Sequence, residues 1–211
     1  MVSALKRQNI RAKTVLDIGA NVGQFTVAVA KLYPGVQVHA FEPVPESFLK
    51  LRKNVSKLEN VSVYQMALGD AEGETMCHIN SHSQSSSLLS MSKEHHSAFP
   101  DAQEINQVPI KISRLDTIFA NQRFDSPILL KIDVQGYEAQ VLRGGEETLK
   151  RTQHVVAETS FKTLYQGELL FMDLVRLMEP RGFHFIRPVG WLSDPRTSEI
   201  LQMDALFSRQ F

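Results

Sequence analysis

The chain has 211 residues, is 43% hydrophobic, and balances 23 basic against 23 acidic side chains. That length and composition suit one soluble domain with a sizeable core, and the charge balance offers no basic face of the kind nucleic acid requires. The one basic cluster, Lys6, Arg7, Arg11 and Lys13, lies in a short helix-like leader and reads as a solvated face. The single cysteine, Cys77, rules out an intrachain disulfide, no run is apolar enough to span a bilayer, and polar residues interrupt any signal-peptide centre. A cytoplasmic protein without a membrane or nucleic-acid partner is expected; the oligomeric state is not legible.

Apolar runs of strand length alternate with helical patterns, as in a parallel sheet covered by helices. Thr14 to Ile18 reads as a buried strand, followed by a helix whose Phe25, Ala28, Val29 and Leu32 fall on one face and which Pro34-Gly35 ends. Val36 to Phe41 forms the second strand, and Pro45 suits the first turn of a helix burying Phe48, Leu51 and Val55. Val61 to Met66 is the third strand. Residues 71–109, rich in Ser and His, show little apolar periodicity and read as a cap-like insertion in a single domain spanning 1–211. Ile128 to Val134 is the fourth strand, ahead of a Gly-opened helix; Val155 to Ala157 is the fifth, ahead of a helix over Phe171 to Glu179. Phe183 to Arg187 and Ala205 to Ser208 then read as a closing antiparallel pair.

The chemistry starts where the first strand runs into Asp17-Ile18-Gly19-Ala20-Asn21-Val22-Gly23. Glycines here permit close approach of a ligand to the turn, with loop amides at a helix N-terminus facing its polar groups. Glu42 ends the second strand about twenty residues later, where a carboxylate can accept hydrogen bonds from both ribose hydroxyls of an adenosine-type ligand. A dinucleotide would call for G-x-G-x-x-G, whereas this chain has G-x-x-x-G, and Asp17 favours a ligand with a positive end. Asp133, at the end of the fourth strand, points towards the crevice that binds ligands in open α/β sheets, or caps the following helix. Glu158 follows the fifth strand in the same way. Their oxygens suit magnesium, but strand-end carboxylates are common without a metal, so no metal ligand is assigned. Lys131 reads as an ion-paired lysine, and Glu138 as a carboxylate favoured near a helix start. His82, His95 and His96 lie in the irregular segment with no spaced partner. Trp191, with Pro188 and Pro195, is either a substrate wall or a residue packing on the sheet edge.

Asp-Ile-Gly-Ala-Asn-Val-Gly (17–23), Phe-Glu-Pro (41–43), Ala-Leu-Gly-Asp (67–70) and Lys-Ile-Asp-Val-Gln-Gly-Tyr-Glu (131–138) together resemble the FkbM-type methyltransferases, in the same order. The last block departs at Gln135, where that family more often has Glu. The resemblance implies a Rossmann-like class I methyltransferase fold, S-adenosyl-methionine as donor, and a hydroxyl of a sugar, polyketide or similar small metabolite as acceptor. It further implies that Asp17, Gly19, Ala20, Asn21 and Gly23 hold the methionine part and Glu42 with Pro43 the ribose. Ala67 and Leu68 would line the adenine edge, and a serine cluster at Ser85, Ser86 and Ser87 would lie near the cofactor. From its place at a strand end, and not from the resemblance, Asp133 is the first candidate for contact with cofactor or acceptor, and Asp133 and Glu158 are the candidate catalytic residues. An NAD(P)-binding oxidoreductase, disfavoured by the glycine spacing, and a non-catalytic binding domain remain as alternatives.

Overall fold

The computed structural model describes residues 1–80, 87–89, 104–120, 122–194 and 196–209. After a short helix α1 (Val2–Arg7), the chain alternates β1 (Thr14–Ile18), α2 (Gln24–Leu32), β2 (Gln37–Phe41), α3 (Pro45–Asn54) and β3 (Val61–Tyr64). Next come β4 (Ala67–Leu68), β5 (Gly73–Asn80), β6 (Glu104–Ser113) and α4 (Leu115–Ile118). The second half holds β7 (Ile128–Ile132), α5 (Glu138–Arg143), α6 (Glu146–Lys150), β8 (His154–Ser160) and α7 (Phe171–Met178). The antiparallel strands β9 (Phe183–Ser193) and β10 (Ile200–Arg209) close the chain.

The main sheet has the order β3-β2-β1-β7-β8-β10-β9. The first five of these strands pair in parallel, while β10 runs antiparallel between β8 and β9. The expected mostly parallel sheet with an antiparallel C-terminal pair is therefore present, with that pair longer than its apolar patterning suggested. Strand alternation sends side chains to two cores. Leu16, Ile18, Leu130, Ile132, Val155 and Ala157 pack against residues of α5, α6 and α7 on one face. Val15, Leu129, Val156 and Leu206 pack against residues of α1 and α2 on the other.

Several boundaries differ from the sequence reading. In α2 the buried positions are Thr26 and Val29, and Leu32 is exposed, because the helix turns its Gly23-Thr26-Val29 row inward. The irregular reading of 71–109 fails at both ends, where β5 and β6 pair antiparallel and β4 joins β6 in a second small sheet. The signal was the period-two series Val108, Ile110, Ile112, which Pro109 interrupts in sequence but which the strand tolerates. Ser85, Ser86, His82, His95, His96 and Pro195 lie outside the described residues. Among the described residues no helix is long and apolar enough to cross a membrane.

Candidate active site

The carboxyl ends of β1 and β2 are tied together by the loop that follows β1. The amides of Gly19 and Ala20 both donate to the Phe41 carbonyl at 3.0 and 2.9 Å, and the Asn21 amide donates to Glu42 Oε2 at 2.8 Å. Glu42 Oε1 accepts a second backbone bond, from Val44 at 2.9 Å. These amides therefore serve the neighbouring strand, where a ligand-facing role had been expected. The glycines also have partners inside the protein: a Cβ on Gly19, at φ +77°, would meet the Asp133 carbonyl oxygen at 1.8 Å, and one on Gly23, at φ +88°, would meet Leu51 Cδ1 at 2.6 Å. Protein packing and left-handed backbone thus account for both glycines without invoking a ligand.

Glu42 is 5% exposed, and burial pushes its carboxyl up to about 7 although the Val44 and Asn21 amides pull it down. Each carboxylate oxygen keeps lone-pair capacity beyond its single amide bond. Beside it, Asn21 at φ +48° carries a buried side-chain carbonyl oxygen that meets no hydrogen-bond donor among the described residues. A buried acceptor of this kind asks for a donor that the described residues do not supply. S-adenosyl-methionine, with two ribose hydroxyls and an ammonium, brings donors of the required type, so the residues present fit that group.

A polar row crosses the opposite half of the sheet on its α2 face. Asp17 and Lys131 are partners in the β1/β7 register, and Glu158 and Asp204 are partners in the β8/β10 register. Asp17 is 0% exposed; the Thr26 hydroxyl donates to its Oδ2 at 2.5 Å and Lys131 Nζ lies 3.3 Å from its Oδ1. Lys131, 4% exposed, also stands 3.2 Å from Asp133 Oδ2, donates to the Gly19 carbonyl at 3.3 Å, and lies over the Phe25 ring. Burial works against its charge, but Asp133 and Asp17 more than offset that, and its proton is held above the ordinary lysine range. Asp17 is thus committed to Lys131 and Thr26.

Asp133 does not cap a helix: α5 starts five residues on, with Tyr137 at its N-cap position, and Asp133 lies between Lys131 and the side chain of Gln135. Gln135 Nε2 donates to Asp133 Oδ1 at 3.0 Å and to Glu158 Oε2 at 2.6 Å, and its Oε1 accepts the Tyr165 hydroxyl at 2.6 Å. Glu158 sits inside β8, not after it, because that strand runs on to Ser160 against β10. Burial pushes its carboxyl well above the carboxylate range, and Asp133, Glu138 and Asp204 push the same way, with Lys131 opposing. Asp204 rises to about 6 from burial and from Asp133. Glu138 rises to about 8 through burial, although its Oε1 accepts the Val134 and Gly136 amides at 3.1 and 3.3 Å. Glu158, Asp204 and Glu138 are thus all shifted upward by burial, and one buried lysine lies among the acids of this row.

Pro43 follows Glu42 and is half-buried, whereas Ala67 and Leu68 are buried in β4. Ser87, also buried, bridges to His78 and donates its hydroxyl to the Gln135 carbonyl at 2.6 Å while accepting the Leu89 amide at 2.9 Å, so it fastens a loop to the Gln135 turn. Trp191 lies in β9 opposite Met203 and is 66% exposed. Among the described residues no group of three or more His, Cys, Asp or Glu is arranged to hold a metal ion. Gln135, Tyr165, Thr26 and Asp204 were not singled out as site residues by the sequence; for Asp204 the only signal was a polar residue alternating with Met203 and Ala205.

Residues 17–185 match the family model described as the methyltransferase FkbM domain. The 2-O-methyltransferase NoeI of Sinorhizobium fredii is 29% identical over 182 residues, covering 80% of this chain and 75% of that protein. The 31-O-demethyl-FK506 methyltransferase FkbM of Streptomyces tacrolimicus is 30% identical over 193 residues, covering 80% and 72%. Among solved structures, the magnesium protoporphyrin IX methyltransferase ChlM of Synechocystis, with bound SAM, superposes with a TM-score of 0.54 at 11% identity over 99% of this chain and 76% of that one, a likeness of fold. The methyltransferase domain of bacterial CtHen1-C gives 0.53 at 12% identity over 100% and 96%. With the class I methyltransferase sheet in place and most of its length matched by the family model, this chain belongs to the FkbM family of S-adenosyl-methionine-dependent methyltransferases.

Proposed function

We propose that the protein transfers the methyl group of S-adenosyl-methionine to a hydroxyl of a small metabolite, of the sugar or polyketide class, with Asp133 receiving the hydroxyl proton. The observation that carries this reading is the arrangement of buried acceptors and a carboxylate pair on adjoining strand ends: Glu42 and Asn21 after β2 and β1, Asp133 and Glu158 after β7 and in β8. Two relatives whose names describe O-methylation support the oxygen acceptor.

Glu42 would accept the ribose hydroxyls, Asn21 would meet a donor at the methionine end, and Ala67 with Leu68 would give the adenine an apolar neighbour. Bound there, the cofactor supplies an electrophilic methyl on a sulfonium, and transfer is an in-line displacement. The chain would have to hold the acceptor oxygen in line with that methyl, so that sulfur could leave with the electron pair of the bond it gives up. The O–H proton passes to a carboxylate within hydrogen-bond reach. Asp133 suits this role, because Lys131 and Gln135 hold its carboxylate in place and about a third of its side chain remains exposed. Glu158 is joined to Asp133 only through the Gln135 amide, so its part is to fix that amide and, with it, Asp133.

Calorimetric titration with S-adenosyl-homocysteine, with NAD and NADP as controls, tests the first half. Micromolar binding of the homocysteine compound alone is expected, followed by transfer of labelled methyl to hydroxylated acceptors and loss of that transfer in Asp133→Asn. Binding of a dinucleotide instead, or full activity of Asp133→Asn, would overturn the reading.

A further inference from the structure

One amide links the two carboxylates of the site, and its surroundings leave it little freedom. Gln135 is at φ +56°, its carbonyl accepts the Ser87 hydroxyl, and its Oε1 accepts the hydroxyl of the fully buried Tyr165. A Cβ on the adjacent Gly136 would meet Tyr165 Cβ at 2.9 Å, so the turn lies directly on that residue. The amide orientation follows from its neighbours, since the flipped form would aim a carbonyl oxygen at Asp133 and Glu158. As placed, both N–H groups of the amide are spent, one on each carboxylate.

Two facing carboxylates repel unless something positive or hydrogen-bonding separates them. The common solution for oxygen ligands is a divalent cation, magnesium or manganese, drawn to their facing lone pairs. Here those lone pairs, Asp133 Oδ1 and Glu158 Oε2, are taken by one nitrogen at 3.0 and 2.6 Å. Lys131 satisfies the other oxygen of Asp133 from the opposite side.

We propose that Gln135 is a positioning residue whose amide stands in the place of a bridging cation, holding Asp133 and Glu158 as one pair that works without a metal. The pair's part in proton transfer rests on the methyltransfer reading above; the amide's place between the carboxylates does not. Removing the amide, or replacing it with a third carboxylate, turns the gap into a cation site. Gln135→Glu sets three carboxylates around it, and Gln135→Ala leaves two facing an open space.

The test is titration of Mn²⁺, followed by the electron paramagnetic resonance of the free ion, into protein saturated with S-adenosyl-homocysteine. The wild type is expected to leave the ion free up to roughly millimolar concentrations, and Gln135→Glu to bind at least about tenfold more tightly. Gln135→Ala is expected to gain affinity in the same direction and serves if the glutamate variant does not fold. S-adenosyl-homocysteine affinity, measured by calorimetry on the same samples, should stay within roughly threefold in the variants, a separation that general loss of structure would not give. Wild-type protein that binds Mn²⁺ as tightly as the variants, or variants that gain nothing, would overturn the proposal. Failure of the wild type to bind S-adenosyl-homocysteine would count against the methyltransfer reading alone and leave the Mn²⁺ comparison to decide the role of Gln135.

Discussion

The two ends of the site solve the same problem with different means. Around Glu42 the buried carboxylate is served by backbone amides, from Asn21 and Val44, and the loop is anchored by backbone bonds to Phe41. Around Asp133 and Glu158 the carboxylates are served by side chains, Lys131 and Gln135, with Tyr165 behind them. Backbone donors come with the turn and are hard to remove by substitution. Side-chain donors are individually replaceable, so the acidic half is the more fragile of the two and the more open to change of function.

Lys131 should show that fragility most clearly. It is the buried cation for both Asp17 and Asp133, and deleting one partner of a buried pair leaves the other charge without compensation. Lys131→Met is expected to lower unfolding free energy by about 3–5 kcal/mol in urea denaturation. Adding Asp17→Asn should recover a large part of the loss, because the orphaned charge is then gone. A single variant within about 1 kcal/mol of wild type would mean that the Thr26 hydrogen bond alone satisfies Asp17, and the contrast between the two ends would collapse.

The same contrast explains what could be read from the sequence. The Gly19 to Gly23 turn, Glu42 and the parallel strands are local features: turn chemistry, a strand end, and apolar runs of strand length. The polar row on the α2 face is not local. Asp17, Lys131, Glu158 and Asp204 come from strands distant in sequence, and only the register of the β1/β7 and β8/β10 pairs sets them side by side. Glu158 was placed after its strand because Ala157 ends the apolar run; β8 continues through Glu158, Thr159 and Ser160 because β10 offers polar partners in Asp204 and Gln202. The glycines were given a ligand-facing purpose where the Asp133 carbonyl and Leu51 already require them. Gln135 was visible only as a departure from a family block, and its bonds to Asp133, Glu158 and Tyr165 need three chain segments in place.

At the other end, Glu42→Ala should cost S-adenosyl-homocysteine about 1.5–3 kcal/mol of binding free energy, roughly ten- to hundredfold in affinity by calorimetry, if the carboxylate bonds both ribose hydroxyls. The Asn21 amide loses its acceptor in the same variant, so hydrogen exchange in the 19–23 loop should quicken. An affinity unchanged by the substitution would remove Glu42 from the cofactor site and leave it as a fastener of that loop.

Glu138 sharpens the comparison on a smaller scale, because it mixes both means: backbone amides serve it, but in the acidic half. Its carboxyl is pushed up to about 8 by burial, and Asp133 adds to the shift. A folded-state value above the unfolded one means that the protonated form is favoured by folding. The contribution to stability is therefore full below the ordinary glutamate value and lost as pH rises through about 8. Gln at this position keeps an acceptor for the Val134 and Gly136 amides and never ionises. Glu138→Gln should match wild type near pH 4.5 and exceed it near pH 9, the gap opening between those limits in thermal melts. A gap that stayed constant with pH would show that the amides of Val134 and Gly136 hold Glu138 ionised throughout, and the backbone-served and side-chain-served halves of the site would then differ less than their geometry implies.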